Sequence, residues 1–446
     1  MLYIAMKPRK KKIFKMVFIF SIFSTAIMYI FCLRKCHKYV CEIFTKSTEY
    51  QIEGDEYYKH GRWRNLSKHQ IAKFSELGKI LFLDKEYPKI NTSAKNYTIL
   101  VWKYGPFSHN GLIQRYTKNT RLDISTFCSS FDPFEGCSVR NCRITYKDED
   151  LDVADLVLFR MFPHELPWSK RNPNQIRAFF MDESPLRTFI CISYRPQYPC
   201  FEGYFNWSMT YRMDSDIPMP YGRTIALRKE EKNKKFNFEE WNKSKRQDVL
   251  LANVNTFCGA TNNRWAYIKK LERYITVHRY GKCGQFKCPG YVAKDCLAAS
   301  RYKFYLAFEN SNCDEYITEK VWWHSFEKRS VPIIMGAKPE ILNQVLPPHS
   351  YIHVNDYVNP KDLADYIIHL NNTPSELIKY FEWRNHFKAI NEHAYFQNRS
   401  PHYCRICEAL NYNNKKKKVY DNLNRYWSPN QCQKGWSTFF GVYLVL

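Results

Sequence analysis

Between Tyr302 and Gly336 the chain reads YKFYLAFENSNCDEYITEKVWWHSFEKRSVPIIMG, and this stretch limits the fold more than any other. Phe304, Leu306 and Phe308 alternate with Lys303 and Tyr305, the period of a strand. Ile317, Val321, Trp322, Ser325 and Phe326 recur at helical spacing, and SVPIIMG is the short apolar run of a buried parallel strand. Strand, polar loop, helix and strand make a βαβ unit. Its polar residues, Glu309, Asn310, Asp314, Glu315, Tyr316, Glu319 and Lys320, fall at the carboxyl end of the first strand and the amino end of the helix. Open α/β sheets bind ligands there, phosphates above all, because helix N–H groups and the helix dipole favour negative charge. The stretch therefore predicts half of a nucleotide site.

Other segments extend the α/β pattern. YTILVWKYGPF from Tyr97, DVADLVLFRM and IRAFFMDESP read as strands of a first α/β domain over residues 96–228. RKEEKNKKFNFEEWNKSKRQ, from Arg228, is dense in charge and reads as a linker or exposed helix over 229–247. DVLLANVN, the amphipathic WAYIKKLERY and ITVHRYGKCG begin a second α/β domain, which with the βαβ unit covers 248–410. Residues 411–446 read as a basic tail. Two Rossmann-like domains facing across a cleft are the expected architecture.

The start of the chain carries a different signal. Met16 to Leu33 is apolar and uncharged, and Lys7, Arg9, Lys10, Lys11, Lys12 and Lys15 precede it. Its length suits a membrane span, and the charge order puts residues 1–15 in the cytosol and the body in a lumen. A cleaved signal peptide fits less well, since the apolar run is long and no small-x-small site follows it. Residues 34–95 are polar and weakly periodic, as a stem would be. Sixteen cysteines suit an oxidising compartment. CRIC at Cys404–Cys407 lacks a second CxxC that would complete a zinc site, so structural disulfides are expected. Sequons stand at Asn65, Asn91, Asn96, Asn206, Asn242, Asn371 and Asn398. The 68 Lys and Arg against 43 Asp and Glu, a net +25, are scattered rather than gathered on a nucleic-acid-binding motif, so no nucleic-acid partner is expected.

FYLAFENSNCDEYITEKVWW followed by SVPIIMGA closely resembles the signature of the α1,3-fucosyltransferases. ILVWKYGPF, ESP at Glu183–Pro185, FNWSMTYRMDSDIPMPYG, RYGKCG, PPHSYIHVNDY, YFEWR and CRIC follow that family's order, so the resemblance spans roughly residues 97–408. It implies a two-domain GT-B glycosyltransferase of the Golgi membrane, single-pass type II, moving fucose from GDP-fucose to O3 of a GlcNAc in glycoprotein N-glycans. It also implies Glu183 as general base and Arg264 and Lys320 as diphosphate contacts. A fork-shaped guanidinium and a point-charge ammonium both suit that task. Lys303 is a further expected phosphate contact, Glu319 a contact to ribose or fucose hydroxyls, and Asn310 and Tyr316 shape the pocket. Asp214 and Asp216 form an Asp-x-Asp pair but lie away from these residues, so they read as structural, with no metal strictly required and manganese or magnesium at most stimulatory. The alternatives are an inactive sugar-binding homologue and a GT-B transferase for another sugar nucleotide. LFRMFPHEL from Leu158 and TIALRKEEKNKK from Thr224 depart from the family pattern on the acceptor side.

Overall fold

The computed structural model describes residues 59–433 apart from 91–94, 103–132, 161–165, 168–171, 189–200, 229–230, 232–235, 289–293, 394, 396–399 and 415–417. The segment 16–33 and the sequons at Asn91 and Asn398 lie outside the described residues. No described helix is long and apolar enough to cross a membrane.

Six strands form one parallel sheet: β1 (Tyr97–Val101), β2 (Cys142–Thr145), β3 (Leu156–Arg160), β4 (Ile176–Met181), β5 (Trp207–Thr210) and β6 (Ile217–Pro218). Their order is β2-β1-β3-β4-β5-β6. Further along come β7 (Gly222–Ala226), β8 (Leu251–Val254), β9 (Val277–Tyr280), β10 (Phe304–Phe308), β11 (Asn312–Cys313), β12 (Val331–Met335) and β13 (Ile352–His353). Five of these build a second parallel sheet in the order β13-β12-β10-β8-β9. Its strands, in chain order, sit 2-1-3-4-5, so the order reverses between β8 and β10. Ligand crevices of open α/β sheets form at such a reversal, outside the carboxyl ends of the strands. β1, β10 and β12 are buried along their whole length, which explains their nearly continuous apolar runs. The α/β expectation and the main strands stand. The short β2 and β6 carry too few apolar residues to show a pattern.

The helix expected over Ile317–Phe326 is one α-turn, Glu319–Val321, that widens into a π-helix over Trp322–Glu327. The Ser325 hydroxyl donates to the Lys320 carbonyl at 2.8 Å, taking up a backbone acceptor that the widened turn leaves over. Trp322 is buried in the core and donates its indole N–H to Ile317 O at 3.0 Å.

Three expected boundaries move. The stem does not run to residue 95 as a polar spacer, because Glu76–Phe82 is a helix with Leu77, Leu81 and Phe82 buried against the first sheet. Ser75 caps it, its hydroxyl accepting from Gly78 N at 3.0 Å. Arg64, buried just before it, donates to the carbonyls of Phe82, Gln344 and Thr224 at 2.7–3.1 Å. Inside the charged stretch expected to be a linker, the helix Phe238–Ser244 buries Trp241 beside Phe236 and Phe381.

The last displacement is the largest. The chain leaves the second sheet, pairs β14 (Phe387–Asn391) antiparallel with β7, and lays the helix His402–Tyr412 on the first sheet. That helix is buried nearly all round, and Arg405 inside it pairs with Glu392 and Glu408. Cys137–Cys404 and Cys142–Cys407 staple it to the region of β2, so CRIC serves two structural disulfides. Cys258–Cys283 and Cys288–Cys296 are also bonded. Past residue 411 the described residues, which run to 433, form no free basic tail. Trp427 is buried among Phe179 and Tyr211, and β15 (Cys432–Gln433) pairs with β11 through the Cys313–Cys432 disulfide. That bond closes a loop of 119 residues onto the polar cluster after β10. Replacing Cys432 with serine is expected to cost about 2–4 kcal/mol. A thermal midpoint equal to that of the parent protein would show that the end of the chain is held without it.

Asn206 is corrected as a glycosylation site. It is buried, its side-chain oxygen accepts from Arg177 N at 3.0 Å, and its amide donates to Lys418 O at 2.9 Å. Asn65 and Asn96 are exposed and Asn242 and Asn371 half-exposed.

Candidate active site

β4 is buried from Arg177 to Met181 and delivers Asp182 and Glu183 at its carboxyl end. Their side chains diverge, as neighbours on an extended chain must. Asp182 turns to Arg160 at the end of β3, 3.5 Å away, and its carbonyl accepts from the Tyr221 hydroxyl at 2.7 Å. Half-buried Glu183 faces the second sheet. Its Oε1 accepts from Tyr316 Oη at 2.7 Å, from Ser184 N at 2.8 Å and from Asn310 Nδ2 at 3.2 Å. Among the described residues Oε2 has only the Asn310 amide, at 3.4 Å. One oxygen is anchored by three donors and the other is left able to take a proton. Burial and the neighbouring Glu183 carboxylate push the Tyr316 phenol well above its ordinary range, so it stays protonated and keeps donating. Beside this contact the hydroxyls of Ser184 and Ser311 are 2.9 Å apart. The carboxyl end of β4 and the loop after β10 therefore meet at Glu183.

On the second sheet the cluster opens with Glu309, fully buried, whose carboxylate accepts from Thr318 N at 2.8 Å and from the Thr318 hydroxyl at 2.9 Å. Lys320 Nζ stands 3.1 Å from Glu309, 3.1 Å from Glu319 and 2.7 Å from Thr318 Oγ1. Burial works against the ammonium, yet the two carboxylates win and hold Lys320 above the usual lysine range. Burial pushes Glu309 up, with Lys320 opposing. For Glu319 the raising effect of burial is outweighed by Lys320 and His324, and its carboxyl lies below the ordinary range.

Arg264 begins the helix Arg264–Leu271 that follows β8. It is buried, with Nη1 donating to Phe308 O at 2.9 Å and Nη2 to Phe257 O at 2.7 Å, while Nε has no partner among the described residues. It thus ties the ends of β8 and β10 together, at the reversal in strand order. Asn262 completes the cradle, donating to Glu309 O at 3.0 Å and Asn312 Oδ1 at 2.7 Å.

Of the residues expected at the site, Glu183, Arg264, Asn310, Tyr316, Glu319 and Lys320 gather here. Lys303 does not. It precedes β10, at the end of the strand opposite the cluster, roughly 17 Å away along five residues of extended chain. There it is buried and donates to Gln247 Oε1 at 2.8 Å and Asn371 Oδ1 at 2.7 Å. Alternation marks a strand but not which of its ends faces the ligand, and the polar loop lies only at the other end.

Glu309, Thr318, Ser311 and Glu315 received no role from the sequence, although all stand in the same polar run. Glu315 takes a left-handed backbone (φ 58°), which is unfavourable for a glutamate. The carboxylate of this half-buried residue accepts from Met213 N at 2.7 Å, a further bond between the parts of the chain that carry the two sheets. Asp214 accepts from Arg212 Nε at 2.8 Å and Nη2 at 2.6 Å. Asp216 is bonded to Lys418, Ser208 and Tyr420. Both are committed to neighbours, and among the described residues no group of three or more His, Cys, Asp or Glu is placed to hold a metal ion.

Comparison with known proteins gives consistent matches. Residues 94–222 match the family model described as fucosyltransferase, N-terminal, and residues 242–427 that of glycosyltransferase family 10 (fucosyltransferase) C-term. The chain is 32% identical over 374 residues to glycoprotein 3-alpha-L-fucosyltransferase A of Drosophila melanogaster, covering 81% of this chain and 67% of that protein. It is 30% identical over 353 residues to alpha-(1,3)-fucosyltransferase fut-5 of Caenorhabditis elegans, covering 73% and 88%. A crystal structure of an alpha1,3-fucosyltransferase with GDP-fucose aligns with a TM-score of 0.45 at 16% identity, covering 79% of this chain and 98% of that one.

Proposed function

Since the chain belongs to glycosyltransferase family 10, the fucosyltransferases, we infer that it moves fucose from GDP-fucose to O3 of a GlcNAc residue in glycoprotein glycans, with inversion at the anomeric carbon. The acceptor hydroxyl forms a bond to C1 of the β-linked fucose as the bond from C1 to the diphosphate oxygen breaks. The hydroxyl proton passes to Glu183, and GDP leaves with the bonding pair. The observation that carries this reading is the grip on Glu183, a carboxylate from the end of β4 held through one oxygen by Tyr316 and Asn310 beside the β10 cluster. A base fixed in that way, with a proton-accepting oxygen left over, suits removal of a proton from a bound hydroxyl.

The two parallel sheets make a GT-B enzyme in this reading. The first carries the acceptor side and the second binds GDP-fucose at Arg264, Asn310, Tyr316, Glu319 and Lys320. The apolar segment 16–33 with its basic flank anchors the protein as a type II protein of the Golgi membrane, its body in the lumen. No divalent ion is required, because Asp214 and Asp216 are already spent on Arg212 and Lys418, although manganese or magnesium would stimulate.

The test is transfer by the purified lumenal body, with GDP-fucose and a panel of defined N-glycans, with and without a chelator. Fucosylated product in at least one core or antennal acceptor is expected, with most activity surviving the chelator. A protein that binds UDP or CMP more tightly than GDP, or binds GDP and never turns over, would sink the reading. Total loss with chelator, restored by manganese, would reassign the metal.

A further inference from the structure

The charges of the candidate donor site do not add up to what a diphosphate needs. Arg264 and Lys320 bring two positive charges, and Glu309 and Glu319, in contact with Lys320, bring two negative ones. The cluster is close to neutral before any nucleotide arrives. A sugar diphosphate carries two negative charges and gains another as the glycosidic bond breaks, and such charge is stabilised by donors aimed at it in advance.

Arg187 supplies what is missing. It lies four residues after Glu183, at the end of the turn Pro185–Arg187, and is half-buried. Its guanidinium sits 4.1 Å over the ring of Phe257, which belongs to the loop after β8. The carbonyl of that same Phe257 holds Arg264 Nη2 at 2.7 Å, so two guanidinium groups converge on one residue, one on its ring and one on its backbone. A guanidinium over an aromatic face is positioned without spending its N–H donors, which point outward in the plane. None of the Arg187 donors is engaged by a described neighbour. The perch is itself built. Cys258–Cys283 pins the loop, and a Cβ at Gly259 would come within 2.8 Å of the Phe257 ring, so only glycine leaves the ring its place.

We propose that Arg187, held by Phe257, binds the donor diphosphate from the acceptor side of the site, so that the leaving group is met by cations from both sheets. The inference rests on the reading of the protein as a GDP-fucose transferase and adds a binding residue to it. It also links the halves of the reaction, because the turn that carries the base carries this cation.

The experiment measures GDP affinity by calorimetry, together with kcat and the separate KM values for donor and acceptor, in the wild type and in Arg187→Met, Arg187→Lys and Phe257→Leu. Arg187→Met should weaken GDP binding about tenfold and lower kcat further, with acceptor KM unchanged, as expected for loss of a charge-assisted contact. Arg187→Lys should recover part of the loss, since the charge returns without the fork. Phe257→Leu should give a smaller loss of the same kind. Thermal midpoints close to wild type would tie the losses to binding. Unchanged GDP affinity and kcat in Arg187→Met overturns the proposal, as does a change confined to acceptor KM, which would put Arg187 on the acceptor instead. Wild-type protein that does not prefer GDP to UDP or CMP overturns the donor reading itself, and the assignment of Arg187 with it.

Discussion

Glu183→Gln is expected to bind GDP as the wild type does and to transfer fucose about 10³-fold more slowly, the scale of loss when a positioned general base is removed. The substitution keeps the shape of the side chain. A glutamine oxygen still accepts from Tyr316 Oη and Ser184 N, so the anchored half of the contact survives. The other half becomes an amide nitrogen, which cannot take the acceptor proton. Single-turnover transfer, GDP calorimetry and a thermal melt together separate chemistry from folding. Turnover near the wild-type rate would move the base to another residue, and a collapsed melt would make Glu183 a structural tie between the sheets.

Lys320→Met should lose both activity and stability. The methionine fills the same volume, but Glu309 is left buried with only Thr318 to bond it. Breaking a buried pair from one side costs about 3–5 kcal/mol, because the remaining charge is uncompensated. If Lys320 meets the leaving group as proposed, its removal should also lower kcat by about 10²-fold. The pH dependence has a definite sign. Lys320 lies above its ordinary range in the folded protein, so its contribution is fully present below the usual lysine pKa and is lost only as pH rises through the raised value. Burial raises Glu309, and without Lys320 to oppose it the folded variant should hold a proton there that the unfolded chain gives up. Lys320→Met should therefore become less stable as pH rises from the ordinary carboxylate range. Adding Glu309→Gln should restore stability at neutral pH without restoring transfer. If the double variant regained activity, Lys320 would serve only to neutralise Glu309.

Which parts of this could be read from the chain follows from how far apart the partners are. The run Phe304–Met335 announces its fold because strand, loop and strand are adjacent, and Phe304↔Val331 pair in the register that the two apolar runs suggest. The place of Glu183, at the carboxyl end of an apolar strand, was also local enough to read. Lys303 misled because both ends of a strand look alike locally. The sequon at Asn206 misled because three residues say nothing of burial. Arg64, with carbonyl partners 18, 160 and 280 residues away, and the helix His402–Tyr412 were beyond reach: their residues are ordinary until the distant partners arrive. The resemblance to a family carried the residue roles, while the contacts that would enforce them, Tyr316 on Glu183 and Thr318 on Glu309, came only from the structure.

The helix on the first sheet also sets a timetable. Cys137 and Cys142 leave the ribosome long before their partners, which follow 267 and 265 residues later. At about 5–20 residues per second that is a delay on the order of tens of seconds. During it, β1 and β3 to β6 can associate, but the face that Ile406, Cys407 and Leu410 will cover stays bare. The second sheet, whose strands run from Leu251 to His353, can also close before that helix is made. In the lumenal setting proposed above, chaperones and thiol oxidants would therefore attend this chain for the whole of its synthesis. A premature stop before residue 402 would leave an apolar face and three thiols without their partners, those of Cys137, Cys142 and Cys313.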